Sequence, residues 1–201
     1  MAEGKCIGLE DVDHNLGCDG GNSAGIVSRV IFGYWDDVAT WPDEPVPTEA
    51  GGVVTPLTLD EAGALDGDVA MKPGTRAFYF DFTEDAGNFT ITTEGDTDGV
   101  SVLYTLTIVK AKISQRVLGF MNAAITKKLF FIPQDQNGVN YLMGSKRRKS
   151  IFVTGGDGAN TGTTGSDRNQ TTIQFTYRTS KALVYKGVTD ELLTEVPSGG
   201  G

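Results

Sequence analysis

Apolar positions alternate with a period of two along most of the chain and switch to a period near 3.6 in one place. Residues 24–35, AGIVSRVIFGYW, set Val30, Phe32 and Tyr34 against smaller or polar neighbours and predict a strand. Residues 76–83, RAFYFDFT, place Phe78, Phe80 and Phe82 on one face. Residues 88–93, NFTITT, place Phe89 and Ile91 opposite threonines, and the intervening EDAGN predicts a hairpin turn. A second turn, EGDTDG at 94–99, leads into the longest strand, 100–111, with Val102, Tyr104, Leu106 and Ile108 on one face. Strands follow at 129–133 and 139–143. The Asn137-Gly138 pair between them predicts a type I′ turn, because these residues accept positive φ. Further strands are predicted at 149–154, at 171–178 with Ile173, Phe175 and Tyr177 inward, and at 182–188.

The helical period falls on 114–127, SQRVLGFMNAAITK. There Val117, Leu118, Met121, Ala124 and Ile125 share a face, Ser114 stands at the N-cap, and Lys127 and Lys128 suit the negative end of the helix dipole. Between the first strand and the aromatic hairpin, residues 36–75 hold Pro42, Pro45, Pro47, Pro56 and Pro73 with many acids. One short helical turn is predicted there, in TLDEAGALDG with Thr58 as its cap. The rest reads as a loop that orders against a neighbour. These elements predict a mainly β fold, a β-sandwich or barrel with one flanking α-helix and long loops. One domain is expected overall: an N-terminal strand plus acidic arm (1–75), a β core (76–190) and a flexible C-terminal tail (191–201).

Composition changes this picture little. Of 201 residues 39% are apolar, enough for a core, and the 27 glycines sit largely in loops. No stretch approaches the roughly 18 continuous apolar residues of a membrane span. The N-terminus lacks the basic and apolar regions of a secretory signal, so the chain is expected in the cytoplasm, with Cys6 and Cys18 as free thiols or as closure of a short loop.

Candidate chemistry is sparse. The single histidine, His14, lies in a Gly/Asp-rich segment without a framed partner. Cys6, His14 and Cys18 cluster in sequence but lack the paired spacing of a zinc site. Asp11, Asp13 and Asn15 begin like a calcium loop, yet Leu16 replaces its glycine and Asn22 its bidentate Glu. Phosphate-loop and nucleophile-elbow motifs are absent. The reading is a protein that is not an enzyme and that carries no cofactor and no metal.

Charge is more informative. Residues 1–100 carry 4 Lys/Arg and 20 Asp/Glu, a net of −16, whereas residues 101–201 carry 13 Lys/Arg and 6 Asp/Glu, a net of +7. The run Lys146, Arg147, Arg148, Lys149 suits a phosphate backbone. The acidic half would repel that polyanion, however, and no aromatics interleave the run. The better partner is an identical copy, with acidic surface meeting basic surface. Such heterologous contacts close into rings or continue as filaments. Lys127, Lys128 and Lys146, Arg147, Arg148, Lys149 are the expected cationic contacts, and Asp36, Asp37, Asp43 and Glu44 the expected acidic ones.

The hairpin D-x-N-G-x-x-Y-L-M-G at 135–144, the D-R-N-x-x-x-I-x-F at 167–175 and the order long strand, helix, hairpin resemble tail tube (major tail) proteins of tailed bacteriophages, of the kind infecting Bacteroidetes-type hosts. The resemblance covers about 77–188. It implies a virion protein assembled in the host cytoplasm into hexameric rings that stack as a hollow tail tube. Its partners would be further copies of itself and other tail proteins (a terminator, a tape measure, possibly a sheath). DNA would pass through the lumen without specific binding, and no membrane is involved. Acids lining the lumen would suit a conduit for a polyanion. The alternatives are another virion component (head decoration, connector or tail terminator), the inner tube of a contractile injection system, and a nucleic-acid or carbohydrate binding module.

Overall fold

A computed structural model describes residues 6–12, 22–96, 99–154, 158–164 and 167–197. In chain order, β1 (Arg29–Tyr34) runs through a 3-10 turn (Trp35–Asp37) into β2 (Val38–Thr40). Strands β3 (Thr48–Ala50) and β4 (Val53–Thr55) form a hairpin, followed by the one-turn helix α1 (Leu59–Ala62) and by β5 (Ala70–Met71). Then come β6 (Phe78–Asp81), β7 (Asn88–Glu94), β8 (Ser101–Ala111), helix α2 (Gln115–Thr126) and β9 (Leu129–Ile132). Strands β10 (Ile151–Phe152), β11 (Gly158–Asn160) and β12 (Gln170–Thr179) precede a last 3-10 turn (Asp190–Leu193).

Two antiparallel sheets face one another. The larger has the order β10-β12-β8-β7, with β11 also on β12, and the smaller the order β6-β1-β9. Alternation in the sequence sets the inward face of each. Val102, Tyr104, Leu106 and Ile108 of β8 and Ile173, Phe175 and Tyr177 of β12 pack with Val30, Leu129 and Phe131 of the smaller sheet. Phe131 and Phe175 rings lie 4.2 Å apart across the interface. Among the described residues the sheets do not close into a barrel.

Strand β9 is buried at all four positions, the mark of a strand covered on both faces. Leu129 and Phe131 enter the core just described. Phe130 and Ile132 enter a second one, with Val38, Val69, Met71, Leu142, Tyr185 and Leu192. Residues 36–75 are thus largely a third layer of the same chain and not a loop awaiting a neighbour. The C-terminal segment also joins this layer: Leu192 is buried, Gly74 N–H donates to Val196 C=O, and Val196 N–H donates to Thr75 C=O. The expected tail from 191 therefore packs as far as these contacts reach, and residues 198–201 lie outside the described residues.

Local expectations fare unevenly. Thr58 caps α1 in a full capping box with Glu61. In α2, Ser114 caps Val117, but the buried stripe is Val117, Phe120, Met121 and Ala124. Leu118 and Ile125, expected inward, are 40% and 58% exposed, because the helix is turned toward the phenylalanines of β1 and β6. The hairpin after β9 exists, but not with a type I′ turn. Gly138 alone takes positive φ (86°), and Gly138 N–H donates to Asp135 C=O while Asp135 N–H donates to Val139 C=O. That is a three-residue loop, a type I turn with a bulging glycine. Residues 139–143 and 182–188 make only single bridges, at Asn140, Met143, Val184 and Tyr185, and not full strands.

Tyr104 ties β8 to the last of these segments. Its buried hydroxyl accepts from Leu183 N–H at 2.7 Å and donates to Leu183 C=O at 3.0 Å. Burial pushes its pKa above the ordinary tyrosine value. Tyr104→Phe leaves a buried N–H and C=O without this partner. The expected loss is about 1–3 kcal/mol, read as a lower urea midpoint with an unchanged slope.

Candidate assembly surfaces

The larger sheet has one covered face and one open face. Register places Thr90, Thr92, Thr105, Thr107, Thr172, Gln174 and Thr176 together on the open face. Gln174 Nε2 donates to Thr107 Oγ1 at 3.2 Å. The charged residues on the described strands of this face are Glu94 and Arg178, and they form an ion pair with each other. Leu103, Val109 and Ile151 share this face, so the wall is mostly hydroxyl and amide with an apolar minority, and it is electrically neutral on the described strands.

Apart from one bridge between Ser150, just before β10, and Leu129 of β9, both edges of this sheet are unpaired among the described residues. At one edge β7 has a seven-residue run whose Thr90, Ile91, Thr92 and Thr93 are all exposed. At the other, β10 and β11 lie in tandem on β12. Open edges of this length are templates for pairing with another chain. Strand β7 contains no proline, bulge or lysine.

The β3–β4 hairpin is a second open feature. All six of its strand residues are exposed. Gly51 and Gly52 at its tip have φ of 60° and 80°, as a type I′ turn requires. Val46 and Val53 are 73% and 68% exposed. A lone two-stranded hairpin is marginal in water, so covering this one would stabilise it. The sequence carried a signal for it, Gly-Gly flanked by β-branched residues, which the surrounding prolines obscured.

The basic run occupies a tight turn. Ser145 and Arg148 exchange backbone hydrogen bonds at 2.8 and 3.2 Å, and Trp35 Nε1 donates to Ser145 C=O at 2.8 Å. Buried Ser150 closes the loop by donating its hydroxyl to Met143 C=O at 2.6 Å. Lys146, Arg147, Arg148 and Lys149 are all exposed, and none forms an ion pair among the described residues. Other expected contacts are already engaged internally. Lys128 pairs with Asp36 at 3.3 Å and lies over the Trp35 ring. Glu44 pairs with Lys181 at 3.5 Å. Asp37 C=O accepts from Lys72 N–H, and the Asp43 backbone pairs with Asp66. Lys127 and the Asp43 side chain are exposed. The acidic segment thus begins beside its own cations, and the four cations of the turn, like Lys127, take no part in these pairs.

Comparison with family models, curated proteins and solved structures finds no match to this chain. Its own geometry must therefore carry the functional reading. The motifs behind the resemblance do local structural work. Asp135 Oδ1 accepts from Asn137 and Val139 N–H, and Asn137 ties residues 22–23 to the hairpin. Asp167 Oδ2 accepts from Thr163 and Thr164 N–H at 2.7 Å, which holds its carboxyl below the ordinary value. Asn169 Oδ1 accepts from Ile113 N–H. Among the described residues no cluster of His, Cys, Asp or Glu is arranged for a metal, and no helix is long and apolar enough to cross a membrane. His14, Cys18 and most of the calcium-like stretch lie outside the described residues.

Proposed function

We propose that this chain is the structural subunit of a bacteriophage tail tube, working by self-assembly. The observation that carries this reading is the larger sheet, with two open edges, one covered face and one neutral polar face. Joining β7 of one copy to the β10–β11 edge of the next pairs both edges and extends the sheet sideways. If the joined sheets close into a ring, the uncovered face turns toward the lumen. The resemblance supplies the hexameric ring and the stacked tube.

A conduit for DNA needs a wall that does not hold a polyanion. The expected means was a lining of acids. Threonine and glutamine side chains with a paired Glu94 and Arg178 serve as well, because no unpaired cation on those strands faces the passing phosphate. The unpaired cations of residues 146–149 sit instead on a turn outside the strands of that sheet, where a neighbour's acids suit them.

The edge is the direct test. Thr90→Lys with Thr92→Lys places two charges on β7 without touching the core, and edge lysines oppose strand addition. Sedimentation velocity should show concentration-dependent growth of the wild-type protein, and the double variant should remain monomeric with its melting temperature preserved. Growth equal to wild type would remove β7 as the joining edge.

A further inference from the structure

A cavity of about 400 Å³ lies between α2 and the β1–β6 strands, lined by Phe32, Phe78, Phe80 and Phe120 with Lys110 and Arg116 at its rim. A smaller apolar space of about 190 Å³ shares Phe32, Phe78 and Phe120 and extends it toward Tyr34 and Leu129. The two form one aromatic groove on the smaller sheet, separate from the open edges of the larger. Its one lining acid in the larger space, Asp81, is held by Arg29 at 2.7 Å, so the free rim charge there is positive. Beyond Phe78 the surface carries Asp37 and Glu195 beside Arg76, so the positive end is the one toward Lys110 and Arg116.

We propose that this groove receives the β3–β4 hairpin of a second copy of the chain, an inference that rests on the self-assembly proposed above and names a contact within it. Three properties of the hairpin fit. Its tip is narrow, Ala50-Gly51-Gly52-Val53, and its Val46 and Val53 are mostly exposed. Residues 30–71 contain nine Asp/Glu and no Lys/Arg, so the segment that presents the hairpin is uniformly acidic. Glu49 lies on the opposite face of the hairpin from Ala50 and Val53, one position before the tip. With the apolar face seated on Phe78 and Phe120, Glu49 reaches the rim where Lys110 and Arg116 stand. Hairpin and groove are different surfaces, so each copy gives one contact and receives another, and the series runs past two copies whether it closes into a ring or continues.

Cysteine cross-linking of the full chain tests the seat. In a Cys6→Ser, Cys18→Ser background, Val53→Cys lies on the hairpin and Tyr79→Cys on the groove wall, and both parent residues are exposed. With diamide as oxidant, each intermolecular disulfide forms by loss of two protons and two electrons from a thiol pair to the diamide. The expected result is a ladder of dimers, trimers and higher species on a non-reducing gel from the double-cysteine protein, against no species larger than a dimer from either single one. In parallel, Glu49→Arg and Arg116→Glu should each weaken association about tenfold, and their combination should recover it. A protein that associates by sedimentation but gives no ladder, or a ladder that stops at two copies, overturns the groove assignment while self-assembly stands. A wild-type protein that never associates overturns both.

Discussion

Phe131→Ala is expected to cost about 3–5 kcal/mol, the largest stability loss of any single substitution argued for this chain. Phe131 is fully buried, its ring is 4.2 Å from Phe175 and 6.0 Å from Phe32, and its backbone pairs with Met143. Truncation opens a cavity at the seam between the two sheets, and the surrounding aromatics are fixed by both and collapse poorly into it. Since a domain of ordinary stability has about 5–15 kcal/mol in hand, the variant should sit near the edge of folding. Urea unfolding followed by tryptophan fluorescence should show the midpoint fall by more than half of its wild-type value if the protein lies near the low end of that range. Phe130→Ala opens the other core and should be comparably severe, because Phe130 stacks edge-on against Trp41 and fills the space left by Gly33. A loss below about 1 kcal/mol at Phe131 would mean that the sheets do not meet through this strand.

Reversing the basic turn, with Lys146, Arg147, Arg148 and Lys149 all replaced by Glu, should abolish higher assembly and leave the monomer folded. The turn is held by backbone bonds, by Trp35 and by Ser150, none of which needs the four charges. Each exposed ion pair with a neighbour contributes only about 0.2–1 kcal/mol. Four per subunit, repeated through a polymer, make the reversal decisive, since attraction becomes repulsion at every repeat. The same logic predicts that wild-type assembly weakens as salt rises. Light scattering over a concentration series reads this, with the melting temperature as control. Normal growth of the reversed protein would assign these cations to solvent.

Legibility in the sequence followed the length and locality of each element. Strands β8 and β12 and the phenylalanines of β6 alternate over enough residues to reveal both strand and face. The capping box of α1 is visible because its partners are three residues apart. The third layer is not visible in this way. β2 and β5 are three and two residues long and pair across some thirty positions, so no local period marks them. Helix α2 is apolar on more than one side, with Phe120 beside Leu118 and Ile125, and only the position of the β1–β6 phenylalanines decides which side is buried. For the same reason the basic run could be read as exposed, whereas the pairs Lys128–Asp36 and Lys181–Glu44 could not, because residues 92 and 137 positions apart are joined only by the folded sheets. The neutral threonine face became legible only with the register of β7, β8 and β12.

Negative-stain electron microscopy of the purified wild-type protein, across concentration and salt, tests the central claim most directly. The account predicts rings that stack into hollow tubes of uniform width at high concentration and low salt. Single particles under every condition, including in the presence of preformed phage tail tips, would contradict it.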